Sequence, residues 1–145
     1  MLKFFKNIFG SDNSSKENGE TEISEIQLKT IRELNVSAAI AAHENWKIRL
    51  DTYLGGKSSE DLRPEVICFD NRCDLGKWLH GSARHQLGKY TSFQQLVAEH
   101  KNFHYHASNV VSLTQSGKRD EAQKLLTNGF QQSSERVIRL LSDIA

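Results

Sequence analysis

The sequence predicts an all-α protein: an antiparallel four-helix bundle with a shorter, irregularly connected helix that carries a cysteine. Three observations lead to this prediction. Apolar residues recur at helical spacing along most of the chain, no segment alternates as a half-buried strand does, and the 145 residues include a single proline. A chain of this length can bury one substantial core, so we expect one helical domain.

Composition excludes several classes of protein. The 19 Lys and Arg residues against 18 Asp and Glu give a net charge of +1, so we expect no nucleic-acid partner. No apolar run approaches the roughly 18 residues that a membrane span needs. The two cysteines are too few for a disulfide-rich secreted scaffold, and no secretory signal opens the sequence. We therefore expect a cytoplasmic protein.

Residues 1–20 are expected to lie outside the domain, which we place at residues 21–145. The first turns bring two phenylalanines and an isoleucine to one face if they are helical. A helix this short is marginal alone, so we favour a terminus that packs on a neighbouring surface over a membrane contact through residues 1–9. Residues 11–20 are polar and read as a flexible linker.

A first long helix is predicted from Ser24, which forms a capping pattern with Gln27, to the stop signal at Gly55 and Gly56. Its later half carries one inward stripe with a period near 3.6. The stripe consists of Val36, Ala39, Ile40, His43, Trp46, Leu50, Tyr53 and Leu54.

The middle of the chain is predicted to be less regular. Residues 57–70, with Pro64 among them, read as an irregular connection. A shorter helix follows, from near Asn71 to near Gly81, with Cys73 in its first turn.

Two further helices complete the prediction. The third begins at Thr91 and Ser92, which give cap-like patterns with Gln94 and Gln95, and ends at Gly117. Its stripe is Phe93, Leu96, Val97, His100, Phe103, His104, Ala107, Val110 and Val111. The last helix begins at Asp120, and its core positions are Ala122, Leu125, Leu126, Phe130, Val137, Leu140, Leu141 and Ile144.

Four side chains with metal-binding chemistry fall on these inward faces: His43, Cys73, His100 and His104. Two histidines four residues apart lie one helical turn apart and can reach a common point. An isolated pair of this kind is better interpreted as neutral core histidines bonded to carbonyls or hydroxyls. Three helices each aim a donor inward, however, and burying four such groups unpaired would be costly. One metal ion would remove that cost.

The donor set selects the metal. Three imidazoles and one thiolate suit Zn²⁺ with four ligands, and we predict one zinc per chain. Calcium and magnesium prefer oxygen donors, and the Glu-x-x-His pairs of di-iron bundles do not occur in the sequence. A copper electron-transfer site would want an axial methionine or similar ligand, and the one methionine is Met1.

The remaining histidines and the second cysteine are assigned to other roles. His80 lies about 10.5 Å along the helix axis from Cys73, His106 faces away from the histidine pair, and His85 falls in a predicted loop. We expect these three at the surface or in support of the site. Cys68 reads as a partly buried free thiol, and a disulfide with Cys73 under oxidative stress is the alternative.

Residues 73–79, which read CDLGKWL, resemble the Cys-x-Leu-Gly-x-Trp-Leu signature of the chemoreceptor zinc-binding (CZB) domain. In that family a histidine on the first long helix, the signature cysteine and a His-x-x-x-His pair hold one zinc. The resemblance covers about residues 31–145. Gly76 lies one turn beyond the cysteine, so its missing side chain is expected to let another backbone approach closely. The matching zinc ligands are His43, Cys73, His100 and His104.

The resemblance implies a bacterial cytoplasmic zinc sensor that tends to form homodimers and whose thiolate is proposed to sense hypochlorous acid. CZB domains usually accompany a chemoreceptor signalling hairpin or a diguanylate cyclase domain, and this sequence contains neither. We therefore expect a free-standing sensor domain or a piece of a longer protein. A chemoreceptor or a diguanylate cyclase is the expected signalling partner.

Four protein ligands leave no open position on the metal, which predicts no catalysis. We expect a regulatory switch in which zinc occupancy moves a helix, in chemotaxis or cyclic-di-GMP control. The alternative is an interaction module with a purely structural zinc. An iron-binding bundle of the hemerythrin kind is disfavoured because its additional carboxylate and histidine ligands are missing.

Overall fold

A computed structural model describes residues 23–144, and within that range every regular element is helical. The all-α prediction is therefore confirmed, whereas the antiparallel four-helix arrangement stays a prediction. The predicted segment of residues 1–20 lies outside the described range. The helices are α1 (Glu25–Arg32), α2 (Val36–Leu54), α3 (Pro64–Ile67), α4 (Asp74–His80), α5 (Ser82–Leu87), α6 (Thr91–Gln115), α7 (Arg119–Leu125), a π-helical turn (Leu126–Phe130) and α8 (Gln131–Ile144).

The predicted first helix is two helices, α1 and α2. The capping box at Ser24 is present: its hydroxyl accepts from the Gln27 amide at 3.1 Å, and the Gln27 side chain accepts from the Ser24 amide. The helix stops after Arg32 because Asn35 is extended and its side chain accepts from the Ala38 amide at 3.0 Å. Asn35 thereby starts a new helix, and the prediction of one continuous helix was wrong.

The middle of the chain is more helical than predicted. The connection around Pro64 contains α3, whose first residue is that proline. The shorter helix begins at Asp74, with Cys73 as the residue before it, and a further helix, α5, follows at once. His85 therefore lies in a helix and not in the predicted loop.

The third helix, α6, begins at Thr91 as predicted, but no side chain caps it, because Tyr90 is the preceding residue. The last helix begins at Arg119 and widens into the π-helical turn before α8. In that turn the Thr127 hydroxyl and the Asn128 amide both donate to carbonyls one turn back, at 3.0 and 2.8 Å. These side-chain bonds compete with the regular helical ladder.

The core lies between α2, α6 and the α7 to α8 segment. Leu50, Phe103, Phe130 and Leu141 have no exposed surface. All predicted core positions of the last helix are buried except Leu125, which is half-buried. The described chain has no helix of the length and apolar character that crossing a membrane requires.

Two contacts position the region around Cys73. The Trp78 indole, on α4, donates to the Thr30 carbonyl of α1 at 2.9 Å. Gly76 faces the backbone of residues 70–71, and a Cβ there would overlap the Asp70 carbonyl oxygen. The close backbone approach expected at this glycine is present.

Candidate metal centre

The structure brings the four predicted ligands together from three parts of the chain. His43 comes from the middle of α2, Cys73 from the residue before α4, and His100 and His104 from successive turns of α6. One nitrogen or sulfur atom of each lies within 4.8 Å of those of the others. The histidines are buried, and Cys73 is half-buried.

The measured separations define a compact cluster. His100 Nε2 lies 3.1 Å from His43 Nε2 and 3.1 Å from His104 Nε2. Cys73 Sγ lies 3.3 Å from His100 Nε2 and 3.7 Å from His104 Nε2. The four donor atoms therefore surround one point in the interior.

Backbone carbonyls orient two of the imidazoles. His43 Nδ1 donates to the Ala39 carbonyl at 2.7 Å, and His104 Nδ1 donates to the Ile67 carbonyl at 3.0 Å. A carbonyl only accepts, so in the neutral ring the proton is on Nδ1 and the Nε2 lone pair faces the cluster. Such a second hydrogen bond is typical of metal-ligating histidines. His100 Nδ1 is buried and has no partner among the described residues.

Burial keeps all three histidines neutral. Loss of solvation lowers the pKa of His43 and of His104. It also lowers the pKa of His100 to about 2, with repulsion from His104 and His43 as the smaller causes. Neutral imidazoles are the form that binds a metal, so the cluster is prepared for a cation and not for protons.

Cys73 is the cap of α4 as well as a cluster member. Its sulfur accepts from the Gly76 amide at 3.3 Å, at the end of a helix that favours negative charge. Burial nevertheless raises the pKa of the Cys73 thiol. A bound cation would reverse that balance, since metal coordination deprotonates a thiol outright.

The separations fit a tetrahedral zinc site. Zinc bonds of about 2.0–2.1 Å to nitrogen and about 2.3 Å to sulfur imply ligand separations near 3.4 Å between nitrogens and near 3.6 Å between nitrogen and sulfur. Four of the six donor separations lie close to these values, at 3.1 Å between nitrogens and at 3.3 and 3.7 Å from nitrogen to sulfur, and the other two do not exceed 4.8 Å. The residues present therefore fit four-coordinate zinc.

The other candidates lie outside the cluster, as expected. His80 Nε2 contacts Asp70 Oδ2 at 2.9 Å, and His85 is exposed. His106 is half-buried, and a Cβ on Gly129 would lie 3.2 Å from its ring. Cys68 is a free cysteine whose sulfur lies 3.7 Å from the Glu65 carbonyl.

Sequence reasoning missed the two carbonyls that orient the histidines. The Ala39 carbonyl lies one turn before His43, so a buried histidine within a helix was a signal for it. The Ile67 carbonyl ends α3, and Pro64 followed by three non-glycine residues was the signal for that short helix. Pro64 was interpreted from the sequence only as the end of regular structure, and α3 was therefore not predicted.

Over the described residues, helices that place three histidines and one cysteine around an interior point define the class of helical metal-binding domains. In a comparison with known protein families, residues 43–111 match the model of the chemoreceptor zinc-binding domain. The matched part of the chain resembles this family of zinc-binding (CZB) domains and includes all four cluster residues. No curated protein and no solved structure matches the chain.

Proposed function

We propose that this protein is a zinc-responsive regulatory domain, in which binding of one zinc by His43, Cys73, His100 and His104 changes how α4 is held. The observation that carries the proposal is the convergence of these donors from α2, α6 and the start of α4. Four protein donors would fill a tetrahedral zinc and leave no position for a substrate water. The proposal is therefore binding and signalling, without catalysis.

The position of α4 supports this choice of moving element. Its closest helix neighbour is α5, and its tie to α1 is the bond from Trp78 to the Thr30 carbonyl. Cys73 is the residue that joins α4 to the α2 and α6 ligands. When zinc leaves, α4 and the backbone before it lose that link while the core of α6 and α8 keeps its apolar contacts.

The family supports the cellular setting that we propose. We infer a cytoplasmic domain that acts as a homodimer with a chemoreceptor or diguanylate cyclase partner, in chemotaxis or cyclic-di-GMP control. The predicted absence of a nucleic-acid partner rests on the net charge of +1.

Cys73 also supports an oxidant-responsive version of the same function. Bound to zinc it would be a thiolate, the form that attacks oxidants. With hypochlorous acid, the sulfur takes the hydroxyl oxygen to give sulfenic acid, and chlorine leaves as chloride with the two electrons. Zinc retained with Cys73 unmodified after such treatment would discard this version.

Metal analysis of the purified protein tests the zinc site. We expect about one zinc per chain in the parent and in Cys68→Ala, and a much weaker site in Cys73→Ala. Competition with chelators of graded affinity gives the dissociation constants. The proposed zinc site would be overturned if the parent protein contained no zinc after purification and bound none when zinc was added.

The same titration separates a sensor from a module with a structural zinc. The burial of all three histidines is the observation that favours the structural module. Circular dichroism is recorded while the chelator removes zinc. Release of zinc with the helical signal retained supports the sensor, whereas release and unfolding in one transition support the structural role.

A further inference from the structure

A surface pocket of about 330 Å³ adjoins the metal centre between α2, α3 and the segment before α4. Cys73 and His104 line it together with several apolar side chains. Two of these, Val66 and Phe69, are 45% exposed. The size and the apolar lining are those of a site for a small molecule.

Three arginines and one aspartate also line this pocket: Arg49, Arg63, Arg72 and Asp61. Two of the guanidinium groups lie on aromatic rings, Arg49 at 3.9 Å over Trp46 and Arg72 at 4.2 Å over Phe69. This stacking holds the cations at the pocket wall before any ligand arrives.

The arginines differ in their partners. Arg49 pairs with Glu60 at 2.7 Å, and Arg63 pairs with Asp61 at 3.0 Å. None of the acidic side chains in the described range forms an ion pair with Arg72. The pocket therefore has positive charge in excess, and Arg72 is the arginine with capacity for a ligand carboxylate.

We infer that this pocket binds a small organic anion with an apolar body, its carboxylate on Arg72 and its body against Phe69 and Val66. The complementary chemistry is a bidentate contact to a planar guanidinium beside an apolar wall. The chain's own residues 1–9 are a less suitable occupant because their lysines, Lys3 and Lys6, would bring positive charge to a positive pocket. The inference does not depend on the proposed zinc response.

The test uses the full-length, zinc-loaded protein and 3-phenylpropionate as the probe, in low-salt buffer where ion pairs are least screened. Isothermal titration calorimetry gives the affinity, and amide NMR shifts give the location. We expect one saturable site with a dissociation constant on the order of 1 mM. The neutral analogue 3-phenylpropanol should bind about tenfold more weakly or worse, because it lacks the charged contact.

Arg72→Gln removes the guanidinium, and Arg84→Gln removes an exposed arginine outside this pocket. We expect Arg72→Gln to weaken 3-phenylpropionate binding about tenfold and Arg84→Gln to leave it unchanged. Zinc content is measured for each variant, so that loss of the neighbouring metal centre is recognised separately.

Four results would overturn the inference. One is the absence of saturable binding at about 20 mM probe. Another is equal affinity for the acid and the alcohol, or an equal effect of the two substitutions. The last is displacement of the probe by a synthetic peptide of residues 1–10, which would make the chain's own first segment the occupant.

Discussion

At the cluster, each buried histidine presents its Nε2 to the interior, and carbonyl acceptors at Ala39 and Ile67 fix two of the three rings. His43, His100 and His104 were predictable because helical spacing puts each on an inward face, whereas Cys73, the residue before α4, was included for its chemistry and its place in the CZB-like signature. The Ile67 carbonyl was not predictable, since its oxygen reaches His104 only through the packing of α3 on α6. Helical periodicity therefore predicts the histidine ligands, whereas the group that orients His104 depends on a tertiary contact.

Protonation of the histidines should make the metal-free protein sensitive to acid. The pKa of His100 is about 2 in the folded state against about 6.5 when unfolded, so below pH 6.5 the unfolded chain binds a proton that the folded chain excludes. The contribution of neutral His100 to the free energy of unfolding is therefore kept above about pH 6.5, and it is lost as the pH drops further. From pH 6.5 to 5 the loss is about 2 kcal/mol for His100.

Urea unfolding of the metal-free protein at pH 7.5 and 5 measures this loss. His100→Asn should reduce the difference between the two pH values, and His85→Asn, at an exposed position, should not. Identical pH dependence in the parent and in His100→Asn would contradict the expectation.

Gly76→Ala should destabilise the protein by about 2–4 kcal/mol, because its new Cβ would lie 2.9 Å from Asn71 Cα and overlap the Asp70 carbonyl. That backbone must move, and Cys73 moves with it, so zinc binding should weaken as well. The control is Gly55→Ala, where φ is −74° and the nearest atom to a Cβ is 3.3 Å away. Thermal unfolding and chelator competition report the two effects, and a neutral Gly76→Ala would show that this backbone shifts at little cost.

At the level of helices, α2, α6 and the last helix were predicted from the sequence, but α1 and α2 were predicted as one continuous helix. Apolar periodicity continues across residues 33–35, so the pattern alone does not reveal the break. The deciding feature is local: Asn35 is extended and caps the helix that follows. In the same way, no periodicity is visible over the four residues of α3, which is too short to show a repeat.

Asn35→Ala should lower the free energy of unfolding by about 1 kcal/mol, because the Ala38 amide loses its side-chain acceptor. Asn45→Ala, at an exposed position within α2, should be neutral or slightly stabilising, since alanine is the better helix former. Chemical denaturation of both variants gives the comparison. Equal changes at the two positions would show that the cap at Asn35 is dispensable.

For the whole molecule, the cluster of candidate metal ligands and the apolar core meet at Phe103. Its ring lies 5.0 Å from the His43 ring and 5.0 Å from the Phe130 ring. The core on one side is held by side chains without exposed surface, while α4 on the other side packs through Leu75, Trp78 and Leu79 and reaches the cluster through Cys73. Loss of metal should therefore act unevenly across the domain.

Hydrogen exchange with and without zinc measures that unevenness. We expect amides of α4 to lose at least about tenfold in protection when zinc is removed, and amides of α8 to change much less. Cys73→Ser, which keeps an oxygen to cap α4, should exchange like the zinc-free parent whether or not zinc is added. A uniform increase over the entire domain would indicate a structural zinc, and no change at α4 would contradict the proposed switch.

The π-helical turn at Leu126–Phe130 has a consequence for how this chain tolerates changes of length. A turn of this kind holds one more residue than the α-helix it interrupts, so removing one residue there would let the regular ladder close. Elsewhere in a helix the same deletion would rotate everything beyond it by about 100°. In homologues that are one residue shorter, we therefore expect the missing residue to fall within this turn, so that α8 still faces the same neighbours.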